Sequence, residues 1–411
     1  MTYTVIENGT LIDGTGKEPL KNAQVVIKNN RIQSVNQMDK VSDLEQEDVT
    51  FIDAKGGYIL PGMIDTHVHL TFEFLGLEER VDTPLSLRFY HTIKYMKETI
   101  DAGVTTVRDA GGADYGIKAA VEQGLVLGPR MQIAINAITS TGGHSDSWRM
   151  SGLDLTRPEY PGFPGGVTDG IEDVRKKTRE MIRAGADIIK IHATGGVMSP
   201  LDHPEHTQFS PRELKMAVNE ASYRGKKVMA HAQGAEGVKQ SILAGIHSIE
   251  HGIYLDEESI DLMLSHDTYL VPTLYAPVSV LERMGESSYI PDYAAKKAEE
   301  VVEAHQKSFQ KAYKAGVKIA MGTDASVFKH GLNLKELTLM CELGMTPMEA
   351  IQVSTKEAAK CLGMEKDIGT IEPDKYADII IVNGDPLEDI TVLENSKNIV
   401  KVLKDGVVVK G

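Results

Sequence analysis

The chain has 411 residues, 41% hydrophobic and 25% charged, the balance of a folded protein with a sizeable core, which excludes a disordered chain. No window holds 18 consecutive apolar residues, so no membrane span and no membrane partner is expected. Fifty-nine acidic against 44 basic residues give a net charge of −15, with no basic concentration of the kind that nucleic-acid binding needs.

The opening residues MTYTVIENGT lack a basic segment followed by an apolar one, so no secretory signal is read there. The only cysteines, Cys341 and Cys361, are too few for a disulfide framework and fit a reducing cytosol; a cytoplasmic location is expected. The first sixty residues read as short strands and turns. YTVIENGTLIDGTG alternates apolar and polar residues, and AQVVIKNNRIQSV repeats the pattern about a turn at Asn29-Asn30. Near Tyr58 the character changes, and short apolar runs begin to alternate with helical patterns. In order, the strand candidates are ILPGMIDTHVHL, VTTVRD, RMQIAINAI, ADIIKIHA, KVMAHA, HSIEHG, YLVPTL and KIAMGTD. Two helix starts between or after them are capping boxes with proline at the first helical position, Ser210-Pro211-Arg212-Glu213 and Thr346-Pro347-Met348-Glu349. The charged stretch from Tyr289 to Lys314 reads as a solvated barrel helix, with a lid beside strand seven as the alternative.

The last forty residues return to strands, ADIIIVNGDP and then IVKVLKDGVVVKG with an Asp405-Gly406 hairpin signal. Neither β-rich end has enough strands to be stable alone. They are read as one discontinuous domain, residues 1–58 with 364–411, around a middle domain of 59–363; two independent flaps are the alternative. Eight strands alternating with helices over ~300 residues suggest a (β/α)8 barrel. A doubly wound open sheet produces the same alternation, and periodicity alone leaves both open.

Polar residues gather at the C-terminal ends of these strands, where barrel active sites are built. The first strand ends His67-Val68-His69, and residues i and i+2 of a strand face the same side. A buried histidine pair without a purpose costs desolvation, so a metal is the economical explanation. Strand four carries Lys190 among isoleucines. Burial lowers an amine's pKa. Lys190 is either a snorkelling or ion-paired lysine, or a neutral amine that adds carbon dioxide to become a carbamate. Strand five ends with His231, strand six with His251 and strand eight with Asp324. Together they supply the nitrogen and oxygen donors of zinc or a similar divalent ion.

The ordered set His67-x-His69, Lys190, His231, His251, Asp324, with the strings PGMIDTHVHL, IIKIHATGGVMSP, AHAQG, IEHG and GTDAS, resembles the amidohydrolase superfamily with a carboxylated-lysine binuclear centre. The nearest likeness is to its imidazolonepropionase-related branch, which includes metal-dependent Xaa-Pro dipeptidases and related carboxypeptidases. The resemblance covers essentially the whole chain. It implies an α/β fold, a deformed (β/α)8 TIM barrel with a small discontinuous β-sandwich domain from both termini. It also implies two divalent ions, zinc or manganese, with a carbon-dioxide-derived carbamate on Lys190 bridging them. His67, His69 and Asp324 then hold the more buried ion, and His231 and His251 the more exposed one. A hydroxide bridging the ions attacks the substrate carbonyl, and Asp324 passes its proton to the departing amine. His144, in Thr141-Gly142-Gly143-His144, is implied to contact the substrate carbonyl or carboxylate.

Where many relatives have an aromatic or histidine after His231-Ala232, this chain has Gln233, a departure at a substrate position. Trp148, the only tryptophan, and Arg149 form either an apolar wall and a carboxylate fork or the outside of their loop. His192 faces the mouth by strand parity, as a pocket residue or a packed one. Tyr275, past strand seven, is a candidate pocket wall. His247 lies four residues before His251, ~13 Å down the strand, and is read as structural. His91, His266, His305 and His330 are read as solvated; His203 and His206 lie in the polar loop after strand four, with a place at the cavity entrance as the alternative. Arg108-Asp109, ending strand two, is read as an internal ion pair shaping the barrel rim, with either residue facing the pocket as the alternative. Gly195-Gly196 lacks the lysine-serine pair of a phosphate loop.

The leading function is hydrolysis of the amide C–N bond of a dipeptide or N-acyl amino acid, a small-molecule substrate. The alternatives are a cyclic-amide hydrolase, weakened by Lys190 in its imidazolone form, and phosphoester or carbamate hydrolysis on the same centre. A non-enzymatic scaffold fits poorly, because every ligand position is filled. The resemblance also implies a homo-oligomer.

Overall fold

The computed structural model describes residues 2–37, 49–73, 81–156, 159–283 and 292–411. Five strands precede the barrel: β1 (Tyr3–Leu11), β2 (Leu20–Lys28), β3 (Arg31–Gln37), β4 (Val49–Asp53) and β5 (Tyr58–Pro61). The barrel region holds β6 (Met63–Val68), β7 (Val104–Asp109), β8 (Arg130–Ile133), β9 (Ala137–Ile138), β10 (Ile189–His192), β11 (Val228–Ala232), β12 (Ser248–His251) and β13 (Tyr269–Val271). The chain closes with β14 (Ile379–Val382), β15 (Ile399–Lys404) and β16 (Val407–Lys410).

The two ends of the chain build one sheet. Its order is β16-β15-β14-β5-β1-β2-β3, with β4 also pairing β1. The joint is the antiparallel β14–β5 ladder, Ile379 opposite Pro61 through Val382 opposite Tyr58. One edge of β1 serves two strands in turn, β4 along Tyr3–Glu7 and β5 at Thr10 and Leu11, and the sheet divides there. Alternate apolar residues from both ends, among them Ile6, Val25, Ile59, Ile379, Ile381 and Leu403, fill a common core. That shared burial makes one unit of the two termini. The Asp405-Gly406 hairpin joins β15 and β16, and both residues have positive φ, 51° and 77°, as a tight hairpin turn requires.

The middle is a deformed parallel barrel. Its ladders run β6-β7-β8 and β9-β10-β11-β12-β13. The third strand of the sequence reading is divided into β8 and β9 because Ile135 turns left-handed at φ 67°. The eighth, KIAMGTD, makes only isolated bridges, yet it closes the ring. Ile319 bridges Leu270 on one side and Ala325 bridges Val68 on the other, and Thr66 N donates to Met321 O. Helices cover the outside with apolar stripes, as in Ile171–Arg183, which buries Val174, Thr178 and Met181. Both capping boxes form, at Ser210 and at Thr346. Of the charged stretch from Tyr289, residues up to 291 lie outside the described residues, and the remainder is the helix Asp292–Ala315 packed on the barrel. Both cysteines are free thiols in helices. Among the described residues, no helix is long and apolar enough to cross a membrane.

Candidate metal centre

The strand ends bring six of the candidate residues to one floor. Asp324 Oδ1 lies 3.2 Å from His69 Nε2 and 3.6 Å from His67 Nε2. His67, His251 and Asp324 offer ligand atoms that all lie within 4.8 Å of one another. His231 continues the row, its ring centroid 4.5 Å from that of His251, and His251 lies 5.2 Å from His67. Lys190, fully buried on β10, lines the same cavity.

Each histidine has one nitrogen tied down. His67 Nδ1 is 2.7 Å from Glu250 Oε2, and His69 Nδ1 is 2.7 Å from Gly111 O. His231 Nε2 is 2.9 Å from Gly195 O, and His251 Nδ1 is 2.7 Å from Thr273 Oγ1. At His67, His69 and His231 an N–H given to a carboxylate or carbonyl fixes the tautomer and leaves the other nitrogen's lone pair free, the state a metal ligand needs; the Thr273 hydroxyl can serve His251 Nδ1 as donor or acceptor. The electrostatics agree. Burial, with the charge of Lys190, holds His67 down to about 4, and burial carries His231 and His251 well below the ordinary histidine value. These rings are neutral at pH 7. Burial raises Asp324, but the His69 contact and the charges of His67, His69 and Lys190 outweigh it and lower its pKa, so it is ionised. Burial lowers Lys190 to about 8, and among the described residues no carboxylate forms an ion pair with it. A buried amine without a counter-ion, beside four imidazoles, is a donor set that fits divalent metal.

Two backbone features assemble the site. Ser248 and Glu250 are the inward residues of β12, touching Arg108 and, for Glu250, His67. By strand parity His251 would point away. Its φ of 74° turns it inward instead. Asp324 is also left-handed, at φ 60°. Gly322 lets the eighth strand approach, because a Cβ there would lie 2.9 Å from His67 Cβ.

Beneath these side chains is a polar layer that sequence reasoning missed. Arg108 does not pair with Asp109. It reaches across the barrel to Glu250 at 3.1 Å and donates from Nε to Thr66 O. Asp109 accepts from the backbone N–H groups of Leu70, Gly111 and Ala113. Burial alone raises Glu250, but Arg108, His67 and Lys190 bring it down to about 2. Asp65 accepts from His67 N, Thr323 N, Thr323 Oγ1 and Asn333 Nδ2, clamping the first strand to the eighth. Acids inside otherwise apolar strands were the available signal.

Above the floor is a cavity of about 720 Å3. His144 lies on its wall, stacked on His231 with centroids 4.2 Å apart. His144 Nδ1 is 2.8 Å from Ser199 Oγ, and that hydroxyl donates to Asp202. Lys297 ties the same loop by donating to the carbonyls of Gly196, Ser199 and Asp202. Gly196 has its own reason here: a Cβ would stand 2.2 Å from His144 Cε1. His192 also lines the cavity, with Nδ1 3.0 Å from Ser145 Oγ, and so do Trp148 and Arg149.

Other candidates sit elsewhere. Gln233 is buried off the cavity lining, its N–H given to Thr194 Oγ1, because it follows the end of β11 into the next turn. Tyr275 also misses the lining: it opens the helix Tyr275–Glu282 and turns its hydroxyl to Glu282 and Lys335. His247 is structural, held by Cys361 O. His305 and His330 are buried rather than solvated, tied to His251 O and Phe72 O respectively. His91 borders the cavity and His266 is exposed. His203 and His206 are not on its wall.

The amidohydrolase family model matches residues 58–409. Ochratoxinase of Aspergillus niger is 34% identical over 428 aligned positions, covering 99% of this chain and 87% of that protein. A solved Xaa-Pro dipeptidase with bound methionine in the active site shares 37% identity over the full length of both chains, with a TM-score of 0.89. A prolidase complexed with N-methylphosphonate-L-proline shares 33% identity over 99% of each chain, with a TM-score of 0.90.

Proposed function

The chain belongs to the amidohydrolase family, a metal-dependent hydrolase of amide C–N bonds, and we propose that its substrate is a dipeptide or an N-acyl amino acid. The observation that carries this reading is the donor set on the cavity floor. Four histidine side chains, an ionised aspartate and an amine without a counter-ion converge there.

We assign His67, His69 and Asp324 to one divalent ion, His231 and His251 to a second, and Lys190, as a carbamate, to both. The neutral Lys190 amine adds to carbon dioxide, losing one proton as the N–C bond forms. Its low pKa leaves a sizeable neutral fraction near pH 8 for that step. Bound at these donors, divalent ions supply Lewis acidity that polarises a carbonyl and activates water near neutral pH.

The chain's own groups supply the rest. Asp324, ionised and touching both His67 and His69, accepts the proton of the attacking water and delivers it to the departing amine nitrogen. As an imidazolium, His144 donates from Nδ1 to Ser199 Oγ, whose own proton goes to Asp202, and offers its Nε2–H to the oxygen that gains charge. Glu250 and Arg108 fix the His67 ring from below.

The test is incubation of the metal-loaded protein with dipeptide and N-acyl amino-acid libraries. Free amino acid is expected from a subset, and none from Asp324→Asn. No release from any member contradicts the reading.

A further inference from the structure

The metal donors set no limit on which amide is taken, but the cavity wall away from them does. That wall carries a cation without a partner among the described residues. Arg149 lies in a hairpin of residues 147–155, where Arg149 N donates to Leu153 O, Gly152 N to Arg149 O and Leu155 N to Ser147 O. Two acids lie close by in sequence, and both are engaged locally. Asp146 accepts from Gly142 N, and Asp154 from Thr156 N. Neither pairs with Arg149, and no carboxylate among the described residues does. Arg149 Nε is buried without a hydrogen-bond partner. A guanidinium held on a partly desolvated wall with no counter-ion is costly, and its planar fork matches a carboxylate.

The wall also carries an aromatic flank. Phe72 packs against the His69 ring at 5.1 Å. Farther along the lining, Phe89 meets Tyr160 edge-on at 6.3 Å, and Tyr160 stacks on Phe163 at 5.0 Å. The cavity's 720 Å3 falls among clefts of roughly 300–1,000 Å3 that take drug-sized molecules, a space beyond the need of two small residues.

We infer that the substrates join a bulky aromatic or apolar acyl group to an amino acid with a free carboxylate. Arg149 pairs with that carboxylate, and the Phe89–Tyr160–Phe163 flank takes the acyl group. This selectivity rests on the amide-hydrolase reading of the same cavity.

Trp148 is the chain's only tryptophan and lies half exposed on the same wall, so its fluorescence reports ligands there. The probe is N-(benzenesulfonyl)-L-leucine, whose sulfonamide resists hydrolysis. It is compared with N-(3-methylbutyl)benzenesulfonamide, which lacks the carboxylate, and with N-(methanesulfonyl)-L-leucine, which lacks the ring. Titrations use the metal-loaded protein, with calorimetry as the second readout. The first ligand is expected to bind at least about tenfold more tightly than either of the others. In Arg149→Met the acid loses about that factor and the carboxylate-free ligand stays within about twofold, while Arg149→Lys recovers part of the loss. Acid binding indifferent to Arg149→Met, or an equal loss for both ligands, overturns the carboxylate assignment. No preference for the ring overturns the aromatic flank. Binding is read without turnover, so the two readings fail separately. Selective binding with no amide cleaved defeats the hydrolase reading alone. Cleavage by a protein indifferent to Arg149 defeats this inference alone.

Discussion

Glu250 is fully buried, and its charge holds two other residues in place: it accepts from Arg108 and fixes the His67 ring. Replacing it with glutamine keeps the volume and removes the anion. Metal affinity in Glu250→Gln is expected to fall roughly ten- to a hundredfold, read by titration with a competing chelator. His330 carries a pH signature. Burial holds it neutral, down to about 4, with its ring stacked on Tyr95 and its Nε2 on Phe72 O. Because its folded pKa lies below the unfolded value, the unfolded chain binds more protons between about pH 6.5 and 4. Stability is therefore full above that window and lost as pH falls through it, by up to about 3 kcal/mol from this residue. Denaturant midpoints at pH 8 and pH 5 should converge in His330→Asn relative to the unsubstituted protein; an unchanged difference contradicts the account. The pair of histidines that the first strand brings to the cavity floor was legible at this scale, because HxH at a strand end is a local pattern. Glu250 was not. Its partners are 142 and 183 residues away in sequence, and only barrel closure brings them together.

Among the elements, the loop after β10 does the most positioning. Its Gly195-Gly196 pair lacks the lysine-serine of a phosphate loop, and Gly196 is there because the His144 ring occupies the space of a side chain. Gly196→Ala is expected to displace His144 and lower kcat by at least about tenfold, with metal content unchanged. Loss of metal in the same variant would show that the loop supports the ligands rather than His144. Most strands were readable from alternation and apolar runs, and both capping boxes from their spacing. The exceptions have local causes. The third strand breaks at Ile135, whose left-handed backbone no propensity rule anticipates for a β-branched residue. The eighth keeps only isolated bridges, at Ile319 and at Ala325 just past Asp324, which is left-handed at φ 60°. Gln233 and Tyr275 were placed on the pocket by proximity to strand ends, but each lies past its strand in a turn or helix start that carries it off the wall.

At the scale of the molecule, the terminal sheet and the barrel meet in one continuous chain path, β5 running into β6 and so to His67. The choice between a barrel and an open sheet was beyond periodicity. It is the bridges of Ile319 and Ala325 to the two ends of the strand series that close the ring. Closure is what gathers six candidate donors from five strands on one cavity floor. On that floor we propose divalent metal shared through Lys190. The direct measurement is metal content per chain, by elemental analysis of protein purified with bicarbonate and metal supplied, for the natural sequence and for Lys190→Ala. About two divalent ions per chain are expected, falling below about one when Lys190 is removed with every histidine intact. A native protein that takes up no metal, or a Lys190→Ala protein that keeps the full complement, would contradict it.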